Sequence, residues 1–420
     1  MNTGKKQRAP YMPRTVDSLI EERLKIAGAI VLEGPRACGK TRTGLESSNT
    51  AYFLDSRQTR ALIEVAPDLV LQGDPPILLD EWQLDPQLWN EVRRAVDASP
   101  DSGQFILTGS SVPDDDITRH TGAGRFVRIR MRTMTWHEKG VSDGNVSLSH
   151  LLEGGSVDPA PAIMEYPDLI EALLKSGFPA QTEFSGKSVR PLLDAYLNEV
   201  THTDVFRIAD LRTEPSAIAQ LVRSLARNTA TEVSYTTLAK DIHTVSPSFS
   251  PETAANVVSL LERLFVVEKV PAFAPKLRSK ARLRTSPKYH LADPALAAAA
   301  LDATEQNLYK DPQTTGFLFE SAVVHDLMVC MESIGGKVWH YRNSNGQEID
   351  AILTFPDGSW AGVEVKLGAS QIQEGARSLL DAASVIDAGE PRFLAVITGT
   401  GPSAALKNGV FTFPLAALRP

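Results

Sequence analysis

The stretch AIVLEGPRACGKT, residues 29–41, decides how the first third of this chain folds. An apolar, partly β-branched run from Gly28 to Leu32 stops at Gly34 and Pro35, which reads as a buried strand followed by a tight turn. The turn itself, Gly34-Pro35-Arg36-Ala37-Cys38-Gly39-Lys40-Thr41, fits G-x-x-x-x-G-K-[ST] at every fixed position. Its glycines let successive backbone N–H groups turn inward around phosphate oxygens, and the helix that follows adds its positive end. Lys40 is placed to reach the β- and γ-phosphates, and the Thr41 hydroxyl to bind Mg2+. Residues 34–42, including Arg42, form the candidate nucleotide-binding segment. The bland alternative, a glycine-containing turn with an incidental lysine, is disfavoured because strand, motif and helix agree.

Outward from that loop, further strands are expected at 51–55, 75–81 and 103–111. A helix is expected from Pro86 to Ala98 with Leu88, Trp89, Val92 and Val96 on one face. A short helical segment with Leu19, Ile20, Leu24 and Ile26 precedes the loop. Alternating strands and helices imply a parallel sheet covered by helices. The run Ile77 to Glu81 delivers two carboxylates to the carboxyl edge of that sheet, where ligands bind. Asp80 is the candidate for holding Mg2+ through its water shell, and Glu81 for orienting or deprotonating the attacking water. Thr108 ends another apolar strand and is a candidate sensor of the γ-phosphate. Arg125 is a candidate for transition-state charge, in cis or in trans, among Arg119, Arg128, Arg130 and Arg132.

Composition sets the outer limits. With 420 residues, 42% hydrophobic and 22% charged, the chain is globular, which excludes disordered, collagen-like and fibrous classes. The length suggests two to four domains. A net charge of −8 argues against coating nucleic acid or membrane non-specifically. Cys38 and Cys330 are the only cysteines, so there is no disulfide framework or zinc cluster, as in a reducing cytosol. No signal peptide or membrane span is expected, and the placement is cytoplasmic.

Residues 141–162 are rich in Gly, Ser, Pro and Asp and read as a linker or long loop. Residues 163–300 read as mostly helical. Within them Tyr235–Ile242, a turn at 246–250 and Pro251–Leu264 show helix-turn-helix patterning, with Val257, Leu260, Leu261 and Leu264 as core. VVEKVPAF and SPKYHLAD are candidate wing strands. Between them Lys276, Arg278, Lys280, Arg282, Arg284 and Lys288 run without an acidic residue, a candidate contact to DNA phosphates. The second helix carries Glu252, Glu262 and Arg263 and offers only Asn256 toward bases, so sequence-specific reading is not expected. The alternative is a solvated loop on a protein-packing module.

Near the end of the chain Glu320 lies on an apolar helix, Asp350 enters a strand, and Glu364 and Lys366 share a strand two positions apart. Residues so spaced point to one face. Asp350 and Glu364 could share Mg2+, with Lys366 stabilising a developing phosphorane or positioning water; Gln347 and Glu348 lie close in sequence. The alternative is a structural ion pair of Lys366 with Glu364 or Asp350 and no activity. His325 and His340 read as packing or surface residues. The D…E-x-K order resembles the PD-(D/E)XK nuclease superfamily, whose members use the metal for in-line phosphodiester hydrolysis.

A broader resemblance rests on the ordered set GPRACGKT, YFLD, ILLDEWQ, FILTGSS and GAGR, then SGFPA, YLNEVTHTDV, SYTTLAKDI, LLERLFVVEKVPAF and SPKYHLADPAL. From about Pro13 to about Pro414 the chain resembles prokaryotic AAA-type ATPases with a C-terminal DUF4143 domain. The resemblance implies an α/β P-loop NTPase core with a parallel sheet (1–145), a helical, winged-helix-like region (146–310) and a small α/β restriction-endonuclease-like domain (311–420). It puts Lys40 and Thr41 on nucleotide contacts, Asp80 and Glu81 on the Walker B carboxylates and Arg125 on the Gly-Arg position. Trp82 departs from the more usual aliphatic residue. The implied cofactors are ATP and Mg2+. The implied partners are ATP, DNA through 276–288 and the C-terminal domain, or a protein or a second copy of the chain; no membrane is implied. The leading expectation is an ATPase acting on or near DNA. Its rival is an ATP-driven switch whose C-terminal domain is inactive and binds a protein.

Overall fold

The strand that precedes the phosphate-type loop is β1 (Ala29–Glu33), buried at all its positions. The computed structural model describes residues 10–111, 123–184, 186–275 and 286–420. β1 lies in a five-stranded sheet with β2 (Thr50–Phe53), β3 (Ile77–Asp80), β4 (Phe105–Gly109) and β5 (Phe126–Arg130), in the order β2-β3-β4-β1-β5. The pairs β2/β3, β3/β4 and β4/β1 are parallel. β1, β3 and β4 are covered on both faces, which is why they read as unbroken apolar runs and not as alternation. Ala29, Val31, Ile77, Leu79, Phe105 and Leu107 share one core with Leu88, Trp89 and Val92 of the helix Leu88–Ala98. Trp89 stacks on Phe126 at 4.1 Å between ring centroids. The first helix, Val16–Leu24, buries Leu19 and Ile20 but ends before Ile26, which is exposed.

The chain divides into two compact units. One comprises residues 10–33, 39–109 and 123–129; the other comprises 34–38, 110–111 and the described residues from 130 onward.

In the second unit the helix-turn-helix forms where its pattern falls, as Tyr235–Ile242 and Pro251–Arg263. Ser234 and Ser250 cap the two helices by accepting from the N–H groups of Thr237 and Thr253, and Pro251 opens the second at a position needing no N–H. Val257, Leu260, Leu261 and Leu264 are buried. The segment 141–162 is not a loose linker. It contains β6 (Val146–Ser147) and a helix, Leu148–Leu152, whose Leu148 and Leu151 are buried. Ser142 also donates to the Leu418 carbonyl at 2.7 Å. Its small polar residues serve caps and turns against the end of the chain, a use composition alone cannot distinguish from solvation.

A hairpin of β7 (Val267–Val270) and β8 (Lys288–Leu291) follows the second helix. It is tied to β9 (Lys337–Arg342): Phe273 N–H donates to the His340 carbonyl at 2.6 Å, and His340 N–H to the Pro271 carbonyl at 3.0 Å. The final sheet adds β10 (Glu348–Thr354), β11 (Trp360–Gly368), β12 (Leu394–Thr400), β13 (Ala404–Ala405) and β14 (Phe411–Pro414), in the order β13-β14-β12-β11-β10-β9. β15 (Leu418–Arg419) pairs in parallel with β6. The helix Pro312–Ser333 buries apolar residues all round its circumference, as a core helix does. No helix among the described residues is long and apolar enough to cross a membrane.

One buried ion network supports this unit. Glu268 on β7 takes Arg132 at 2.9 Å and Arg130 at 3.5 Å, and Arg132 also reaches Glu332 at 2.5 Å. Burial alone would raise the Glu268 carboxyl, but the two guanidiniums hold it down at about 2. Glu268→Ala is expected to cost about 3 kcal/mol, because a buried guanidinium loses a partner. A depressed carboxyl stabilises the fold above its unfolded pKa of about 4.5. The wild-type advantage over Glu268→Ala should therefore shrink as pH falls from about 4.5 through about 2. Urea melts of both proteins across that range check it.

Candidate functional site

The loop between β1 and the helix Lys40–Glu46 curls by placing Ala37 and Gly39 at positive φ, 61° and 105°. A Cβ at Gly34 would stand 2.0 Å from the Met131 carbonyl oxygen, so only glycine fits. The Pro35 carbonyl accepts from Cys38 N–H, and the buried Cys38 thiol donates to the Met131 carbonyl at 3.6 Å. Arg36 does not hang free. Its guanidinium pairs with the buried Asp204 at 2.5 Å. Arg42 pairs along its own helix with Glu46 at 2.8 Å. Lys40 is buried at the helix start.

The carboxylates arrive from the sheet. Parallel register sets Leu32 beside Thr108 and Leu79 beside Leu107, so β4 lies between β1 and β3 with Thr108 next to Asp80. Asp80 Oδ1 accepts from Thr41 Oγ1 at 2.9 Å and from Thr108 Oγ1 at 2.5 Å. Thr108 in turn accepts from Glu81 N–H at 3.1 Å. Glu81 sits at φ 58°, a left-handed conformation that costs about 1 kcal/mol for a side chain of its kind, and its carboxylate accepts from Gln83. Burial pushes the Asp80 carboxyl up, against the two hydroxyl donors. A buried carboxylate and a hydroxyl on one point are hard oxygen donors that fit Mg2+. Thr108→Val is expected to lower ATP turnover about 10–100-fold with little change in nucleotide affinity, since it removes a support and not a ligand. Steady-state kinetics with nucleotide-binding titrations check the split.

Arg125 is not brought to this edge. Its carbonyl accepts from Ala29 N–H at the start of β1, and its guanidinium pairs with Asp97 at 2.5 Å. The loop leaves the other end of β1, about 13 Å away at strand rise. A cis role for Arg125 at the phosphates is therefore set aside.

The C-terminal residues do meet. Lys366 Nζ lies 2.8 Å from Glu364 Oε1. Ala351 pairs with Val363, so one step further Asp350 and Glu364 fall opposite each other, where Cβ atoms stand about 4.5–5.5 Å apart. The β9/β10 register shifts between Ile349 and Ile352, and such a bulge re-aims a side chain. Asp350 Oδ2 accepts from Val365 N–H at 2.8 Å. All three residues line a cavity of about 840 Å3 with Glu320, Gln347 and Glu348. Burial, then Asp350, pushes the Glu320 and Glu364 carboxyls up. Glu364 Oε2 is buried without a hydrogen-bond partner. Among the described residues no group of three or more His, Cys, Asp or Glu is placed to hold a metal. Asp350 and the unpartnered Glu364 oxygen fit a divalent cation completed by solvent.

Lys288 departs from expectation. It is not a wing cation but is buried, with Nζ 2.7 Å from Glu320 and 3.8 Å from Asp350. Burial opposes its charge, yet the carboxylates raise its pKa. Lys276, Arg278, Lys280, Arg282 and Arg284 lie outside the described residues, as does Arg119. His325 and His340 are both buried and hydrogen-bonded, His325 to Thr133 and Asp326 and His340 to the Ser286 carbonyl. Sequence reasoning missed Asp204 and the role of Lys288. A lysine opening a β-branch-poor strand among cations carries no local signal of burial.

Three family models match: an AAA domain over residues 27–139, a domain of unknown function (DUF8612) over 166–307 and another (DUF4143) over 315–418. No curated protein matches. Among solved structures, the Walker-type ATPase PABY2304 of Pyrococcus abyssi is similar at 14% identity and a TM-score of 0.42, over 71% of this chain and 99% of that one. The chain thus carries an AAA domain at 27–139 and a DUF4143 domain at 315–418.

Proposed function

We propose that this AAA-type protein hydrolyses Mg-ATP and couples it to cation-dependent phosphodiester chemistry on DNA in its C-terminal pocket. In the first site Lys40 meets the β- and γ-phosphates and Glu81 orients the attacking water. Thr41 and Asp80 would hold Mg2+, which supplies charge neutralisation on the phosphates. Thr108 keeps Asp80 and the Glu81 backbone in place. In the second site Asp350 and Glu364 would hold the cation, and Lys366 offers its ammonium to the charge that builds on the scissile phosphate.

The observation that carries the second half is the unpartnered, buried Glu364 oxygen beside Asp350 in a cavity open to a ligand. Arg125 enters only as a residue offered to another copy of the chain. The DNA contact rests on the five cations at 276–284, and a cytoplasmic placement on two cysteines that are both buried thiols. A switch with an inactive C-terminal domain has one observation in its favour: Lys288 and Lys366 already pair the carboxylates. The full chain incubated with DNA and Mg2+ or Mn2+ separates the readings. Cleavage lost in Asp350→Ala and in Lys366→Ala supports the pocket. Cleavage that survives both removes it, and no DNA binding at low salt favours the switch.

A further inference from the structure

The C-terminal pocket is not complete within the segment that matches DUF4143. Glu320, Asp350, Glu364 and Lys366 come from that segment, whereas Lys288 comes from the one matching DUF8612. Resting on the cation-dependent reading of this pocket, we propose that Lys288 is a positioning residue and resident counter-charge that limits the site to one divalent cation.

Two features place it there. First, β8 is buried at all its positions, and Lys288 is held on both sides by backbone pairing, with Val270 of β7 and with Glu232. Its stem therefore has one direction to take, and its ammonium ends between Glu320 and Asp350. An ammonium so buried is costly unless it is paired. Second, the contacts are unequal. Lys288 reaches Glu320 and Asp350, and Lys366 reaches Glu364 through Oε1 only, which leaves Glu364 Oε2 without a hydrogen-bond partner. The space between Glu320 and Asp350 that a second divalent cation would need is taken by Lys288 Nζ. With Glu320 drawn to Lys288 and Glu348 paired with Arg342 at 3.0 Å, Asp350 and Glu364 remain as the ligands.

The test counts bound Mn2+ by electron paramagnetic resonance on the nucleotide-free full chain. Wild type should bind one ion that Glu364→Gln loses. Lys288→Met should bind two such ions, and Lys288→Arg one. Should Lys288→Met fail to fold, Lys288→Ala, which leaves the space between Glu320 and Asp350 open, should give the same count of two. A purely structural lysine would change the melting temperature without changing the count. A count that stays at one in the folded neutral variant overturns the role of Lys288 and leaves the cation reading standing. No Glu364-dependent ion in wild type overturns both.

Discussion

Lys40→Ala is expected to lower ATP turnover by on the order of 10^3-fold. Removing one pre-aimed donor to developing charge costs about 10^2–10^3-fold, and here the donor is a full charge in a buried position. The loss is also not compensated nearby. Arg36 is committed to Asp204 and Arg42 to Glu46, so neither guanidinium stands ready to replace the ammonium. Folding should survive, because the loop shape comes from Gly34, Ala37 and Gly39 and not from the lysine side chain. Phosphate release by the purified variant, with thermal melting as the folding control, measures both parts. Unchanged turnover would falsify the assignment of residues 34–41 as the phosphate loop.

Asp350→Ala is the second large effect. A metal ligand at a phosphoryl centre underwrites several kcal/mol of transition-state stabilisation, on the order of 10^3-fold in rate. The bulge in β10 falls at this residue, and Asp350 Oδ2 fastens the strand to Val365 N–H. Removing it would therefore strip the pocket of a proposed ligand and of the Val365 N–H contact together. Lys366→Ala should reduce cleavage comparably but leave cation binding intact, because Lys366 touches Glu364 and not the proposed ion. Mn2+ binding measured beside cleavage of a labelled duplex distinguishes the two variants. Equal loss of ion binding in both would show that Lys366 acts only by holding Glu364.

The two sites were legible to different degrees. The phosphate loop is local: strand, glycines, lysine and helix are consecutive, and the interactions that shape them span a few residues. Asp80 and Thr108 were legible as strand ends because a parallel sheet delivers the ends of its strands to one edge. Glu364 and Lys366 follow from strand alternation alone. The place of Arg125 at the start of β1 was not legible, because motif order carries no information about which edge of the sheet a connection occupies. The segment 141–162 failed because glycine, serine and proline serve an ordered turn as well as a solvated one.

By itself, the sequence determined the α/β core, the loop that ends β1 and the two helices of the helix-turn-helix, and it named Lys40, Thr41, Asp80, Asp350, Glu364 and Lys366 as candidates. Those features depend on short-range periodicity, capping and turn chemistry, which one strand or helix expresses alone. Only the tertiary structure decided that Lys288 faces inward, that Asp204 holds Arg36 and that Arg125 lies at the far edge from the loop. A charged side chain reads the same in sequence whether it meets water or a buried carboxylate. What separates the two is a partner tens to hundreds of residues away, and burial makes that pairing obligatory.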